Sequence, residues 1–156
     1  YFSINHPNLI VEMIPECAKP YVYEGAQNPF VYQEILVGEQ SRFLYAYKDK
    51  ADIILTDAPL EISCLYATGD YPECFYDFLR WSSSRFNRST ILTQNTKSFT
   101  QIGRNHDEET SKALHQKMSD YLAHYHPNTH KTHLPDQTEV EKIAQKILKD
   151  LAKKEK

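Results

Sequence analysis

The stretch ADIILTDAPL, residues 51–60, decides the fold of this 156-residue chain. Its apolar residues Ile53-Ile54-Leu55 do not alternate with polar ones and are too few for a helix, so they predict a strand buried on both faces. Pro59 cannot continue a sheet, because it lacks an N–H and fixes φ. The pattern is typical of a central strand in a parallel sheet that ends at Asp57.

Asp57 is the first candidate for a functional residue. The carboxyl end of a central strand is the edge of an open α/β sheet at which ligands bind. A carboxylate there is well placed to hold Mg²⁺, directly or through water, beside phosphate groups. The alternative interpretation is that Asp57 caps a helix that begins near Pro59. The strand–Asp–turn pattern leaves both interpretations open.

The composition is that of an ordinary soluble globular chain, and residues 1–156 are predicted to form a single domain. The formal net charge of -3 does not indicate a broad nucleic-acid-binding surface. No apolar run reaches the length of a membrane span and no signal peptide is visible, so we expect a cytoplasmic protein without a membrane partner. Cys17, Cys64 and Cys74 form no CxxC pair and are predicted to be free thiols.

Segments with strand patterns alternate with segments of helical periodicity, which predicts an α/β fold with a mostly parallel sheet. The predicted strands are residues 8–14, 53–55, 88–94 and 128–134. The predicted helices are residues 30–48, 59–66, 72–85, 107–125 and 138–153. The last helix has Thr138 and Glu141 as a capping-box pair. Residues 95–106 are polar and predict an exposed excursion between a strand and a helix.

Four late histidines suggest a metal site: His124, His126, His130 and His133. A spacing of two at a helix end places side chains on different faces. No cysteine is nearby and Asp136 is the only close carboxylate. The sequence therefore favours a solvated segment over zinc-type ligation.

The order of four short motifs resembles a known family. ECAK at 16–19 follows a strand, GEQSR at 38–42 lies on a helix, TDAPL at 56–60 ends a strand, and a polar loop at 97–105 leads into an acidic helix start. This order resembles the P-loop NTPases of the nucleoside- and nucleotide-kinase type, particularly the phage-encoded and NAD-salvage (ribosylnicotinamide kinase-like) branch. The resemblance extends from about residue 9 to residue 151.

The resemblance implies a three-layer α/β/α domain and a role for several residues. Asp57 falls at the position of the Walker-B-type acid that orients Mg²⁺ on the nucleotide. Glu16 falls at the position of an acid near the acceptor substrate. Gln40 and Arg42 fall on the helix that lines the acceptor pocket. The implied ligands are ATP as co-substrate, Mg²⁺ as cofactor and a nucleoside- or nucleotide-like acceptor.

The resemblance also makes residues 95–106 a lid, in which Lys97 and Arg104 fold over the transferring phosphate. Phosphoryl transfer requires positioning and charge neutralisation more than covalent chemistry, so a metal-binding carboxylate and mobile cations suit it. The implied activity is a kinase-like transfer of the γ-phosphate, with ATP hydrolysis as the related alternative. A protein partner or a homo-oligomer stays open.

The family's phosphate loop, GxxxxGK[ST], does not occur in these residues. The glycines are Gly25, Gly38, Gly69 and Gly103, and none precedes a lysine. The given sequence starts where the family's second strand would lie, so we expect about thirty preceding residues, by the size of a βαβ unit, to carry the first strand and the loop. The alternative is a non-catalytic phage or regulatory binding protein that kept the fold and lost the loop.

Overall fold

The computed structural model describes residues 1–26, 31–67, 71–93, 100, 106–126, 130–132 and 136–152. The helices are α1 Phe2–Asn5, α2 Ala18–Glu24, α3 Gln33–Tyr47, α4 Ser63–Tyr66, α5 Glu73–Ser84, α6 Glu108–Tyr125 and α7 Gln137–Ala152, with a 3₁₀ turn at Leu60–Ile62. The strands are β1 Val11–Ile14, β2 Ile53–Thr56, β3 Ile91–Thr93 and β4 His130–Thr132. Each predicted strand and helix overlaps one of these elements. In the described part of the chain, no helix has both the length and the apolar character needed to cross a membrane.

The described strands form two parallel pairs. β1 pairs with β2, from Val11 opposite Ile53 to Ile14 opposite Thr56. β3 pairs with β4 in the same sense. Within the described ranges, no strand pairing joins one pair to the other. Parallel strands connected through helices confirm the predicted α/β class, while the three-layer arrangement stays a prediction.

Two apolar clusters pack helices against the β1–β2 pair. One cluster joins β1 to α3, the 3₁₀ turn and α5, and its buried members are Ile14, Val37, Leu44, Leu60 and Leu79. The other joins α1, β2 and α7, and its buried members are Phe2, Ile53 and Ala144. The first cluster therefore fixes the end of β1 relative to α3 and α5, and the second places α1 and α7 against β2.

The prediction that residues 53–55 are buried on both faces was wrong for the second half of the strand. Ile53 is 7% exposed, whereas Leu55 is 38% exposed. Met13, directly opposite Leu55, is 79% exposed. Side chains two residues apart share a face of a strand. The α7 side of the β1–β2 pair is therefore covered at Ile53 and open at Met13 and Leu55.

The two long C-terminal helices begin at aspartate caps. The Asp107 carboxylate accepts the Thr110 N–H at 2.8 Å and starts α6. The Asp136 carboxylate accepts the Glu139 N–H at 2.8 Å and starts α7. The predicted capping box of Thr138 with Glu141 was wrong, because α7 begins one residue earlier than predicted and Asp136 already satisfies its first turn.

Candidate functional site

A cleft of about 650 Å³ opens at the carboxyl ends of β1 and β2. Glu16 and Cys17 reach it from the segment after β1, and Asp57 reaches it from the segment after β2. α3 and α6 provide further walls, and residues 90–93, which include β3, also line the cleft. Both parallel strand pairs therefore meet this space, and ligands of open α/β sheets bind at such an edge.

Asp57 lies where β2 ends and is exposed at the cleft. The 3₁₀ turn after Pro59 has no side-chain cap, so the structure does not show the alternative in which Asp57 caps the next helix. The turn is instead fixed by Thr56, whose Oγ1 accepts the Ala58 N–H at 3.1 Å. Within the described residues, no hydrogen bond or ion pair engages the Asp57 carboxylate. Its oxygens are available to a ligand in the cleft.

Glu16 is the second carboxylate at this edge, and the charge of Asp57 affects its pKa. Partial burial, and then the negative charge of Asp57, raise the pKa of the Glu16 carboxyl, while the Lys19 ammonium partly offsets them. The two acids come from segments 41 residues apart in sequence, and the parallel pairing of β1 with β2 brings them together. The structure therefore places two carboxylates at the same end of the β1–β2 pair, where both line the cleft.

Gln40 is buried on the cleft wall at 4% exposure. Its Oε1 accepts the Cys17 N–H at 3.1 Å, and its Nε2 donates to Thr56 Oγ1 at 3.2 Å. Both ends of the carboxamide are therefore occupied by the segments that carry Glu16 and Asp57. Gln40 therefore lines the cleft and connects the ends of β1 and β2 to α3.

Cys17 is held as a protonated thiol. Its Sγ donates to the Leu36 carbonyl at 3.4 Å. Burial, together with the negative charges of Glu39 and Glu16, raises the pKa of the Cys17 thiol to about 11. The thiolate is the nucleophilic form of cysteine, so this residue is a poor nucleophile at neutral pH.

The structure does not bring Arg42 to this cleft. Arg42 follows Gln40 by two residues on α3, which places it about 200° around the helix. Its guanidinium lies 4.2 Å from the centroid of the Phe43 ring and is exposed. Lys97 and Arg104 lie outside the described residues, as does most of the predicted lid at 95–106.

Two aromatic rings on the cleft wall were not among the residues singled out from the sequence. Tyr66 and His106 stack with centroids 5.5 Å apart and planes 16° apart. Burial, and then the charge of Glu16, raise the pKa of the Tyr66 hydroxyl. The two residues are 40 positions apart, and neither stands in a motif. The only local signals were their places at the end of α4 and just before the α6 cap.

Comparison with protein-family models, curated proteins and solved structures found no match. The arrangement of the cleft therefore provides the argument for function.

The late histidines at 124, 126, 130 and 133 were the other candidates for a metal site. No group of three or more His, Cys, Asp or Glu side chains lies together in the part of the chain that the structure describes. Mg²⁺ beside phosphates is held by only one or two carboxylates. His126, one of the suspected metal ligands, instead lies with Arg88 and Glu61, and its Nε2 is 3.2 Å from the Arg88 guanidinium.

Proposed function

We propose that this protein is an ATP-binding, P-loop-type phosphotransferase that acts on a nucleoside- or nucleotide-like small molecule. The observation that carries the proposal is the acidic pair, Glu16 and Asp57, at the carboxyl ends of two adjacent parallel strands. That edge is where α/β nucleotide-binding domains place their ligands. In phosphoryl transfer, one carboxylate can hold the metal ion on the triphosphate while another orients the acceptor.

Asp57 fits the role of a magnesium ligand. It offers carboxylate oxygens at an exposed strand end, and no described residue pairs with them. Oxygen ligands of this kind are those that Mg²⁺ takes, and the ion keeps several waters. Bound Mg²⁺ would neutralise charge on the phosphate oxygens. Asp57 would coordinate Mg²⁺ directly or hydrogen-bond to its water ligands, and would thereby hold the ion at the end of β2.

Glu16 fits the role of the group that orients the acceptor. Its raised pKa makes it a stronger proton acceptor than an ordinary glutamate, which suits a base that receives the proton of an acceptor hydroxyl. The stacked rings of Tyr66 and His106 line the same cleft. Aromatic faces bind planar bases by stacking, so a nucleoside-like acceptor fits this wall.

The open side of the β1–β2 pair supports the proposed three-layer arrangement. Met13 and Leu55, opposite each other on β1 and β2, are exposed apolar residues, and no pairing joins β2 to β3 within the described residues. A further strand and helix would suit these features. The proposal requires a GxxxxGK[ST] loop on such a segment of the intact protein, together with Lys97 and Arg104 as the cations that close over the phosphates.

A second candidate is a non-catalytic phage or regulatory binding protein with the same cleft. The observation that favours it is that the given residues hold no GxxxxGK[ST] stretch. Such a protein would bind a nucleoside-like ligand through Glu16, Tyr66 and His106 without transferring a phosphate. Its ligand affinity would not depend on Mg²⁺, whereas nucleotide binding in the kinase would.

The test compares Asp57→Asn with Asp49→Asn in the full-length protein. Asp49 is an exposed carboxylate at φ 65°, a conformation that asparagine also adopts, so its substitution is a matched control. We expect Asp57→Asn to lower Mg²⁺-dependent phosphate release or transfer by about 10²-fold or more, and Asp49→Asn to leave it unchanged. Equal turnover in the two variants contradicts the role of Asp57. Mg²⁺-independent binding of nucleosides without any turnover favours the second candidate.

A further inference from the structure

The outward face of α5 carries exposed aromatic side chains. Phe78 is 45% exposed and Trp81 is 54% exposed, and their ring centroids are 6.0 Å apart. With 100° per residue, Asp77, Phe78, Trp81 and Arg85 fall within an arc of about 100° around the helix axis. Cys74, also exposed, falls in the same arc. These five residues are the α5 outer face.

The opposite side of α5 fixes the helix to the core. Leu79 is 0% exposed, and Ser82 and Ser83 are buried on the same side. Tyr45 of α3 reaches Ser82 through its hydroxyl at 3.2 Å from Ser82 Oγ. The outer face is therefore presented by a rigid element, and little conformational entropy is lost when a partner binds to it.

The charges of the outer face are arranged around Trp81 with opposite signs. Arg85 lies with its guanidinium 5.1 Å from the Trp81 ring centroid, and no ion pair to it occurs among the described residues. Asp77 has a side chain that is 68% exposed and pairs with Arg80 at the surface. Asp77 and Arg85 each stand four residues from Trp81, or about 6 Å along the axis, in opposite directions.

We infer that the α5 outer face binds the same face of a second copy of this chain in antiparallel orientation. A two-fold axis at Trp81 sets Trp81 against Trp81. It also brings Arg85 of each copy level with Asp77 and Phe78 of the other. A two-fold interface must be self-complementary in this way. Exposed aromatics beside an arginine are the residues in which interface binding energy concentrates.

The charge arrangement selects the antiparallel orientation. A parallel pairing of two α5 helices would set Asp77 level with Asp77 and Arg85 level with Arg85, and like charges at the same level repel. The antiparallel pairing removes both repulsions and gives the unpaired Arg85 a carboxylate. This inference does not depend on the proposed function, since none of these five residues lines the cleft.

The test is sedimentation equilibrium of the full chain over a concentration series. We expect a reversible monomer–dimer equilibrium, and Trp81→Ala should raise its dissociation constant at least about tenfold. Each single variant, Asp77→Arg or Arg85→Asp, carries the same charge at both ends of the face. Two copies of one variant then repel each other, so each variant should be monomeric. An equimolar mixture of these two variants restores both opposite-charge pairs and should dimerise.

The control is Tyr125→Ala, which removes an aromatic ring that is 50% exposed on α6 and is not part of the α5 outer face. It should leave the equilibrium unchanged, and circular dichroism should show all variants folded. A wild-type chain that stays monomeric throughout overturns the inference, as does a mixture of the two charge variants that fails to dimerise. A monomeric chain whose Trp81 face captures a different protein also overturns it, because the occupant is then not a second copy.

Discussion

The carboxamide of Gln40 ties the end of β2 to the end of β1. Its Nε2 donates to Thr56 Oγ1 at 3.2 Å while its Oε1 accepts the Cys17 N–H at 3.1 Å. Thr56 precedes Asp57 and Cys17 follows Glu16. One buried side chain of α3 therefore fixes the backbone segments that carry both acids of the cleft. The substrate-binding role of Gln40 stays a prediction, and the structure shows its carboxamide bonded to both strand ends.

Gln40→Ala is expected to destabilise the fold, because it leaves the Cys17 N–H without its acceptor in a partly buried site. An unmet buried hydrogen-bonding group costs about 1–3 kcal/mol, which is the expected loss in the free energy of unfolding. Urea denaturation measures it. The control is Gln116→Ala, which removes an exposed bond of 2.9 Å to Asp120 and should change the free energy by less than about 0.5 kcal/mol. Equal losses of unfolding free energy in the two variants would contradict the role of Gln40 in holding the two strand ends.

The elements of the fold were predictable because their signals are local. Residues 53–55 are apolar, two of them are β-branched, and Pro59 follows four residues later; likewise, the acidic start of α6 marks its first turn. The exposure of Leu55 was not predictable, because it depends on how far α7 extends over β2. The cap of α7 was also missed, since Asp136 and Thr138 both carry side chains able to cap, and only the backbone position of the first turn separates them.

The candidate site was predictable in part. Glu16 and Asp57 each follow a strand, so a parallel pairing was enough to bring them together. Arg42 was assigned with Gln40 from one short motif, and the helical period separates the two residues. The stacking of Tyr66 on His106 joins segments that no periodicity or motif relates. Pairings of this kind depend on the packing of α4 beside α6, which only the folded chain provides.

Leu79→Ala is expected to reduce the free energy of unfolding by about 2–5 kcal/mol, the usual cost of truncating a buried leucine. Leu79 is 0% exposed and belongs to the cluster that joins α5 to β1 and α3. Leu55→Ala is the matched control, because it deletes the same atoms at a site that is 38% exposed. Chemical denaturation of both variants gives the comparison. A loss in the free energy of unfolding that is as large for Leu55→Ala as for Leu79→Ala would contradict the difference in burial. It would show that a further element covers the face of Leu55 in solution.

Lys97→Ala and Arg104→Ala test the proposed lid. If these cations neutralise charge on the transferring phosphate, each substitution should lower kcat by about 10²-fold while acceptor affinity changes little. Steady-state kinetics of the full-length protein with ATP and Mg²⁺ measures both constants. Lys142→Ala, on the exposed side of α7, is the charge control. A fall in affinity without a change in kcat would place the two cations in binding rather than in transfer.

The cluster of Arg88, Glu61 and His126 predicts how stability changes with pH. Glu61 is 7% exposed and pairs with Arg88, and the His126 ring lies 3.2 Å from the same guanidinium and 3.9 Å from the Glu61 carboxylate. The Tyr121 ring lies beside His126, with centroids 6.0 Å apart. Burial, and then the charge of Arg88, lower the pKa of His126 below its ordinary value of 6.5.

A histidine whose pKa is lower in the folded state binds its proton more readily when the chain is unfolded. Its contribution to stability is therefore fully present above pH 6.5 and is lost as the pH falls from 6.5 through the lowered value. His126→Gln cannot take up this proton, so its free energy of unfolding should fall less than that of the wild type between pH 7.5 and 5. Urea denaturation across that range measures the difference. His124→Gln, which replaces an exposed histidine two residues earlier, should keep the wild-type slope. If His126→Gln keeps the full wild-type slope, the proton that destabilises the fold binds elsewhere.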